Sequence, residues 1–381
     1  MVHSLNAQQD ETALILNHLT SRNFRNLAED EVSFHPRANI LVGKNGQGKT
    51  NVLESIYFLA TTKSFRTPRL QTMFRFGEPN VFVSGVLQRA GLQKTLSIGL
   101  EAGETKRRVL MVNGEKMTLG AYLEEMSVFA YSSARLEVLR GTPEERRRFL
   151  DRGIASVQPG YLAQLTRYGR VLRQRNALLA EIAHNRESPV SLEAWDEELR
   201  LAAEPVHRAR AEYASLLSSG LREILDRHTY HVRDVDMQYR ANELGPLGEL
   251  RRAEVRARVT LAGPQRDLID FFIDGRPAAD VLSGGEQKMI VLFLKFAKIE
   301  LYRRRQDEAP LFLLDDVDAE LDLEILQDLL SRLPAATQVF TTSAKEAFLA
   351  SLEAGPHRRL SIENGAVSGW RGTAHHLYNR F

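Results

Sequence analysis

Three short stretches carry residues whose types and spacing suit phosphate chemistry. Gly43-Lys44-Asn45-Gly46-Gln47-Gly48-Lys49-Thr50 matches the eight-residue P-loop pattern in full. Its glycines let backbone N–H groups turn inward around phosphate oxygens, and the N-terminus of a following helix adds positive potential. In that setting Lys49 reaches the β and γ phosphates of a nucleotide, and Thr50 offers its hydroxyl to magnesium. The alternative is a tight turn that binds nothing.

Leu311-Phe312-Leu313-Leu314-Asp315-Asp316 sets four apolar residues before two carboxylates. A buried strand that delivers an acid at its C-terminal end is what a magnesium ion beside a P-loop requires. Asp315 is the candidate metal ligand. Asp316 is the candidate for orienting the attacking water, a task of positioning more than of a shifted pKa. A helix N-cap pair without catalytic role is the competing reading. The third stretch is Leu282-Ser283-Gly284-Gly285-Glu286-Gln287-Lys288, at the mouth of a helical run through Ile290 to Leu301. Ser283, Gly284 and Gly285 can present a hydroxyl and bare N–H groups to an anion. Without a Gly-Lys-Thr ending it is no second P-loop, and taken alone it reads equally well as an N-cap with a flexible entry.

These groups need elements to position them. Short β-type runs at Leu14 to Leu16 and Ile40 to Val42 predict strands, the second feeding the glycine-rich turn. Val52, Leu53, Ile56, Tyr57 and Leu59 have helical spacing just after it. Val81 to Leu87, Lys94 to Leu100 and Val109 to Met117 predict a small antiparallel sheet, with Asn113-Gly114 as a hairpin turn. After about residue 120 the texture becomes helical. Leu165, Tyr168, Leu172, Leu179 and Ile182 form one apolar stripe. Leu192, Trp195, Leu199, Ala202, Val206, Ala209, Tyr213, Leu216 and Gly220 form a longer heptad stripe, which Pro205 is expected to kink. The turn-like segment His184 to Ser191 makes the pair a helical hairpin. Strand-like runs return at Asp270 to Ile273, Leu311 to Leu314 and Gln338 to Thr341. The reading is an α/β head interrupted by a helical arm, divided at 12–119, 120–257 and 258–381, with no internal repeat.

Composition narrows the classes. With 381 residues, 43% hydrophobic and 26% charged, the chain reads as a folded protein of about two to four domains. Zero cysteines exclude disulfides, thiolate zinc sites, iron-sulfur clusters and cysteine nucleophiles, and agree with a cytoplasmic location. No apolar run approaches the ~20 residues needed to span a bilayer, so no membrane partner is expected. Met1 to Glu11 is polar, lacks the features of a secretion signal and reads as a frayed or vector-derived tail. The balance of 51 Lys+Arg against 49 Asp+Glu argues nothing about nucleic acid; any such reading rests on where the arginines cluster.

Taken together, the three stretches resemble the ATP-binding-cassette ATPases, and most closely the RecF family, bacterial recombination-repair proteins related to the SMC ATPases. The similar blocks are Asn23 to Asn26, Gly46 to Glu54, Lys63 to Thr67, Gly141 to Pro143 with Arg146 to Asp151, Ala262 to Asp267, and Asp315-Asp316 with Glu320 to Asp322. They span nearly the whole chain. The resemblance implies an ATP-dependent head-to-head dimer, with ATP sandwiched between the P-loop of one copy and Ser283 to Glu286 of the other. It implies that Arg25 approaches the nucleotide phosphates and that Asp322 lies at the junction. It also implies double-stranded DNA and gap junctions as ligands, RecO and RecR as partners in placing RecA, and the cofactors ATP and Mg2+. Two departures point to slow hydrolysis: Asp316 stands where transporter cassettes usually carry Glu, and Thr341-Thr342-Ser343 where a switch histidine is expected. Tyr131 to Leu136 also departs from the family version, which leaves no clear glutamine for coupling the lobes.

For DNA, Arg152, Arg167, Arg170, Arg173 and Arg175 lie in a stretch without acids and predict a basic helix face, with Lys63, Arg66 and Arg69 as a second cluster. The competing reading is a salt-bridged surface, since residues 141–260 hold 20 Arg and no Lys against 18 acids. Such backbone contacts give salt-sensitive, sequence-indifferent affinity, with log K falling roughly 0.9 per neutralised phosphate. No zinc finger, helix-turn-helix or aromatic stacking signature is present. Three rival functions remain. An SMC-type structural ATPase needs arms far longer than this hairpin, a transporter subunit would co-purify with membranes, and a nucleotide-sensing scaffold would show no turnover with DNA.

Overall fold

The computed structural model describes residues 13–102, 107–132, 137–184, 186–227, 235–245, 247–316, 323–334, 336–342 and 356–370. The chain divides into two compact units, residues 1–135 with 302–381 and residues 136–301. The sequence-based division at 119/120 and 257/258 followed the change in texture along the chain. The compact units are bounded instead by pairing. Val128–Ser132 joins a sheet of the first unit, and Leu268–Ile273 pairs inside the second.

The first unit opens with β1 (Leu14–Arg22), β2 (Glu31–Ser33) and β3 (Ala38–Val42), followed by helix α1 (Lys49–Thr61). Next come β4 (Asn80–Arg89), β5 (Leu92–Glu101), β6 (Arg107–Val112), β7 (Glu115–Lys116) and β8 (Val128–Ser132). An antiparallel sheet runs in the order β2-β1-β4-β5-β6-β7. Asn113 and Gly114, both at positive φ, close the tight β6–β7 hairpin expected of that dipeptide.

The first long helix of the second unit is α2 (Pro143–Val157), whose N-terminus carries a complete capping box between Thr142 and Glu145. Helices α3 (Tyr161–Ala183) and α4 (Leu192–Arg227) then pack as a hairpin. Leu179 and Ile182 meet Leu192 near the turn, and Tyr168 and Val171 meet Leu199, Ala202, Ala203 and Val206 further out. Helix α4 continues through Pro205 without ending. The heptad stripe holds as far as Tyr213, but Leu216 is exposed and Leu217, Leu221 and Leu225 are buried instead. A helix with 3.6 residues per turn drifts off a strict seven-residue repeat, so its buried face advances by one position. Strand β9 (Val235–Arg240), helix α5 (Leu247–Ala257), strands β10 (Leu268–Ile273) and β11 (Arg276–Pro277), and helix α6 (Gly284–Gln306) follow. The strands form a small antiparallel sheet, β11-β10-β9.

The chain returns to the first unit with β12 (Leu311–Asp315), helix α7 (Leu323–Ser331), β13 (Val339–Thr342), β14 (His357–Glu363) and β15 (Ala366–Trp370). These complete a second sheet in the order β15-β14-β3-β13-β12-β8, parallel throughout except for the edge pair β14–β15. Helix α1 lies against β4 and β5 as well as β8, β12 and β13, so every residue from Val52 to Ala60 is buried. That explains a helix apolar almost all round. Leu53, Ile56 and Phe58 are each fully buried, worth about 1.5–3 kcal/mol apiece. Buried Gln338 adds a polar tie by accepting from Leu16 N at 2.8 Å and donating to Leu16 O at 3.0 Å. The P-loop and the acid-bearing strand are thereby fixed on one rigid sheet with a single strand between them.

Candidate functional site

The loop from Gly43 to Gly48 leaves β3 and enters α1 through Gly48, which sits at φ 118° with no side-chain cap on the helix. The first-turn N–H groups are therefore uncovered by any side chain, which is the arrangement that receives phosphate. Gly43, at φ 150°, passes so close to the next strand that an added Cβ would lie 2.4 Å from Ile362 O. No other residue fits there. Gln47 holds the loop from above, accepting from Asn364 N at 2.6 Å through its side chain and from Gly365 N at 2.9 Å through its carbonyl. The Lys49 ammonium donates to Gly43 O at 2.6 Å and Lys44 O at 3.1 Å, so it lies across the loop. Lys44, Asn45 and Gly46 form the exposed-side turn of the same loop.

Residues 265 positions apart meet beside it. Thr50 Oγ1 donates to Asp315 Oδ1 at 2.8 Å, and Thr342 Oγ1 donates to the same oxygen at 3.0 Å. Ser132 Oγ lies 3.5 Å from Oδ2. Asp315 is 5% exposed. Burial pushes its carboxyl above the ordinary value and neighbouring Asp316 adds to this, while the hydroxyls of Thr50 and Thr342 pull the other way. A hydroxyl and a carboxylate oxygen 2.8 Å apart match one edge of a magnesium octahedron, whose oxygens at 2.0–2.1 Å stand about 3 Å from each other. The residues present fit that ion, which Thr50 and Asp315 would hold. Among the described residues no cluster of three or more His, Cys, Asp or Glu offers an alternative metal site.

Asp316 is exposed, in left-handed conformation at φ 53°, and its N–H donates to Thr342 Oγ1 at 2.9 Å. Thr342 thus links both acids. It was noted in the sequence only as standing in place of a histidine, and its bond partners lie on another strand. Ser343 and Asp322 fall outside the described residues.

Arg25, expected to approach phosphate, is engaged by an acid on α1. Its guanidinium forms a two-pronged pair with Glu54, Nη2 lying 2.9 Å from Oε1 with Nε close against Oε2. Glu54 is fully buried on α1 and also accepts from Ser64 and, at 3.5 Å, from Arg66 Nη1. From Arg66 a polar chain runs through Asn51 and Asn26 to Gln47 O of the P-loop. Glu54 was not singled out from sequence, although a lone acid on an otherwise apolar helix was the available signal.

In the second unit Ser283 is the N-cap of α6. Ser283 N donates to Glu286 at 2.6 Å, and Glu286 N to Ser283 Oγ at 3.3 Å, a capping box. Ser283 and Gly284 are exposed, and Gly285 is half-buried. Of the arginines expected to form one basic face, Arg152, Arg167, Arg170 and Arg173 are exposed. Arg175 is not. It is fully buried, paired with Asp196 at 2.9 Å and Glu254 at 2.6 Å, and donates to Thr260 at 2.9 Å. The reason is its place on the helix, seven residues after Tyr168 and four before Leu179, both on the buried face. The blocks Arg146 to Asp151 and Ala262 to Asp267 converge around Asp267, which accepts from Arg210, Tyr239 and Asn242 N.

The family model for the RecF/RecN/SMC N terminal domain matches residues 15–360. The DNA replication and repair protein RecF of Lactobacillus acidophilus is 34% identical over 347 residues, covering 87% of this chain and 92% of that protein. The RecF of Heliobacterium modesticaldum is 36% identical over 335 residues, covering 84% and 90%. A solved structure of the recombination mediator protein RecF with ATP, described within the RecFOR pathway, matches with a TM-score of 0.84 and 25% identity over 94% of this chain and 98% of that one. An SMC head bound to the winged-helix domain of ScpA matches with a TM-score of 0.54 and 14% identity over 93% and 97%, a likeness of fold alone.

Proposed function

This chain belongs to the RecF family of DNA replication and repair proteins, and from that premise we propose that it is an ATP-dependent clamp that dimerises on ATP and holds double-stranded DNA near single-strand gaps. The observation that carries the reading is the 2.8 Å contact between Thr50 and Asp315 beside an uncapped helix N-terminus. ATP enters with its phosphates in the Gly43 to Thr50 loop, and Lys49 exchanges the carbonyls of Gly43 and Lys44 for phosphate oxygens. Thr50 and Asp315 would hold Mg2+, which would supply charge neutralisation to the nucleotide phosphates. Asp316, fixed at its N–H by Thr342, orients the attacking water. Hydrolysis is slow, because the hydroxyl of Thr342 is engaged with Asp315 and offers no proton-accepting group to that water. Arg25 reaches the phosphates by releasing Glu54. Ser283, Gly284 and Gly285 contact the nucleotide held by a second copy, and Asp322 lies at that junction.

The DNA contacts fall to Lys63, Arg66 and Arg69 and to the exposed arginines 152, 167, 170 and 173, with no sequence preference. Two named relatives are RecF replication and repair proteins and one solved relative is placed in the RecFOR pathway, which supports RecO and RecR as partners in placing RecA, in the cytoplasm. Among the described residues no helix is long and apolar enough to cross a membrane.

Sedimentation of the wild type and Ser283→Arg with ADP, ATP and a slowly hydrolysed analogue tests the reading. The wild type associates with ATP, and Ser283→Arg binds nucleotide but stays single, because a bulky cation blocks the contact in trans. Equal association of both proteins, or DNA retention that survives Lys49→Met, would sink the clamp.

A further inference from the structure

The geometry points to Phe76 as a base-stacking wedge that recognises the unstacked bases where duplex DNA meets a single-stranded gap, an inference that rests on the clamp reading above. The Phe76 ring is 104% exposed, touching no other part of the fold, whereas nearly every other described phenylalanine is buried or half-buried. The backbone presenting it is anchored. Arg75 N donates to Asn23 O at 2.8 Å and Glu78 N to Arg75 O at 3.0 Å, closing a turn through Gly77 at φ 85°. Two residues before Phe76, Phe74 bridges to Phe24, which is fully buried. The exposed ring therefore stands on a fixed base rather than on a loose loop.

Its surroundings select the partner. Between Glu54 and Glu78 the chain holds Lys63, Arg66, Arg69 and Arg75 and no acid. Glu54 is buried and engaged by Arg25, Ser64 and Arg66. Glu78 accepts from Asn23 at 3.1 Å, and Glu29 lies 3.7 Å from Arg75. Arg69 has no side-chain partner among the described residues. An aromatic face on a segment whose charges between Glu54 and Glu78 are all cationic suits a nucleic acid strand, where cations meet phosphates and the ring stacks on any base. In continuous duplex the base faces are covered by their neighbours, so the ring has nothing to stack on. At a gap the last base pair or first unpaired base offers a free face. The absence of a stacking motif in the sequence is no obstacle, because one phenylalanine acts here through exposure rather than through a repeated pattern.

The test uses the full chain with a slowly hydrolysed ATP analogue, comparing wild type, Phe76→Ala and Phe76→Trp. Fluorescence anisotropy reads binding to a gapped duplex and a continuous duplex of the same sequence, and 2-aminopurine at the first unpaired position reads stacking. The wild type and Phe76→Trp prefer the gap and change the 2-aminopurine signal. Phe76→Ala loses about tenfold in affinity for the gapped duplex, less than about twofold for the continuous one, and the signal change. A wild type indifferent to the gap overturns the clamp's gap preference and the wedge together. A wild type that prefers the gap, with Phe76→Ala unchanged, overturns the wedge alone. So does a Phe76→Ala variant whose defect is in self-association with gap preference intact, which would assign the ring to a protein interface.

Discussion

Asp315 in the first unit and Asp267 in the second are both buried carboxylates, and their surroundings drive them in opposite directions. Asp315 takes its bonds from the hydroxyls of Thr50 and Thr342, and burial wins, so its pKa rises. Asp267 is fully buried, yet hydrogen bonds from His207, Tyr239, Asn242 N and Arg210 outweigh that burial and its pKa falls. Hydroxyls satisfy lone pairs without supplying charge. Guanidinium supplies both. A carboxylate ringed by hydroxyls keeps an uncompensated charge that a cation from outside can meet, whereas one paired with arginine has spent its charge inside the fold. The first keeps its charge open to a cation, as the proposed function requires, and the second holds its neighbours together.

Arg210→Ala should have the largest effect on this contrast. Arg210 pairs with Asp267 at 2.8 Å and with Asp151 at 2.8 and 3.0 Å, and its side chain is 4% exposed. Removing it leaves buried Asp267 and half-buried Asp151 without their cation, at a cost of about 3–5 kcal/mol. Denaturant unfolding should register that loss with nucleotide binding by the P-loop retained; a loss under about 1 kcal/mol would erase the distinction between the two acids. The depressed pKa of Asp267 sets the pH dependence. Its stabilisation is complete above the ordinary carboxylate value of 3.8 and disappears as pH falls through the lower native value. Asp267→Asn should therefore flatten the acid limb of the stability curve.

Asp315→Asn should do the reverse. It removes a buried charge with no ion-pair partner among the described residues, so thermal unfolding should shift little or upward. Magnesium-dependent nucleotide binding, followed by calorimetry, should weaken by roughly a hundredfold, the scale of several kcal/mol that a bound metal contributes. In the wild type, protons compete with the cation. Because the native pKa is raised, that loss of affinity should begin at a pH above the ordinary carboxylate range as the solution is acidified, and the asparagine variant should lack it. A variant that binds magnesium and nucleotide normally would place the metal elsewhere.

The difference between the two acids was only half legible in the sequence. The P-loop, its flanking strand and helix, and the acid at the end of β12 are local patterns, and each could be read because the chemistry sits within a few consecutive residues. Partners brought together by the sheet could not. Nothing near Thr342 in the chain announces that its hydroxyl reaches Asp315, and nothing near Arg25 announces Glu54. The charge of Arg175 points to a solvent face, but its spacing from Tyr168 and Leu179 puts it inside. The same geometry moved the buried face of α4 from Leu216 to Leu217. Charge is a poor guide to exposure wherever an arginine can find two carboxylates.

Thr342→Val makes the smallest and most discriminating change. It keeps the branched shape on β13 but deletes the hydroxyl that donates to Asp315 Oδ1 and accepts from Asp316 N. The bond from Asp316 N is worth about 0.5–1.5 kcal/mol and the one to the Asp315 carboxylate about 1.5–3 kcal/mol, less whatever a strand gains from valine, so the fold should survive with a measurable fall in stability. Without that donor the Asp315 carboxyl has one fewer group favouring its charged form, so its pKa rises further and the proton competes better with magnesium. The pH at which magnesium-dependent nucleotide affinity declines should therefore move upward relative to the wild type. Asp316 loses its anchor at the same time, so turnover should fall more than nucleotide affinity. A Thr342→Val protein with wild-type pH dependence would mean that burial alone sets the state of Asp315 and that its ring of hydroxyls only fills space.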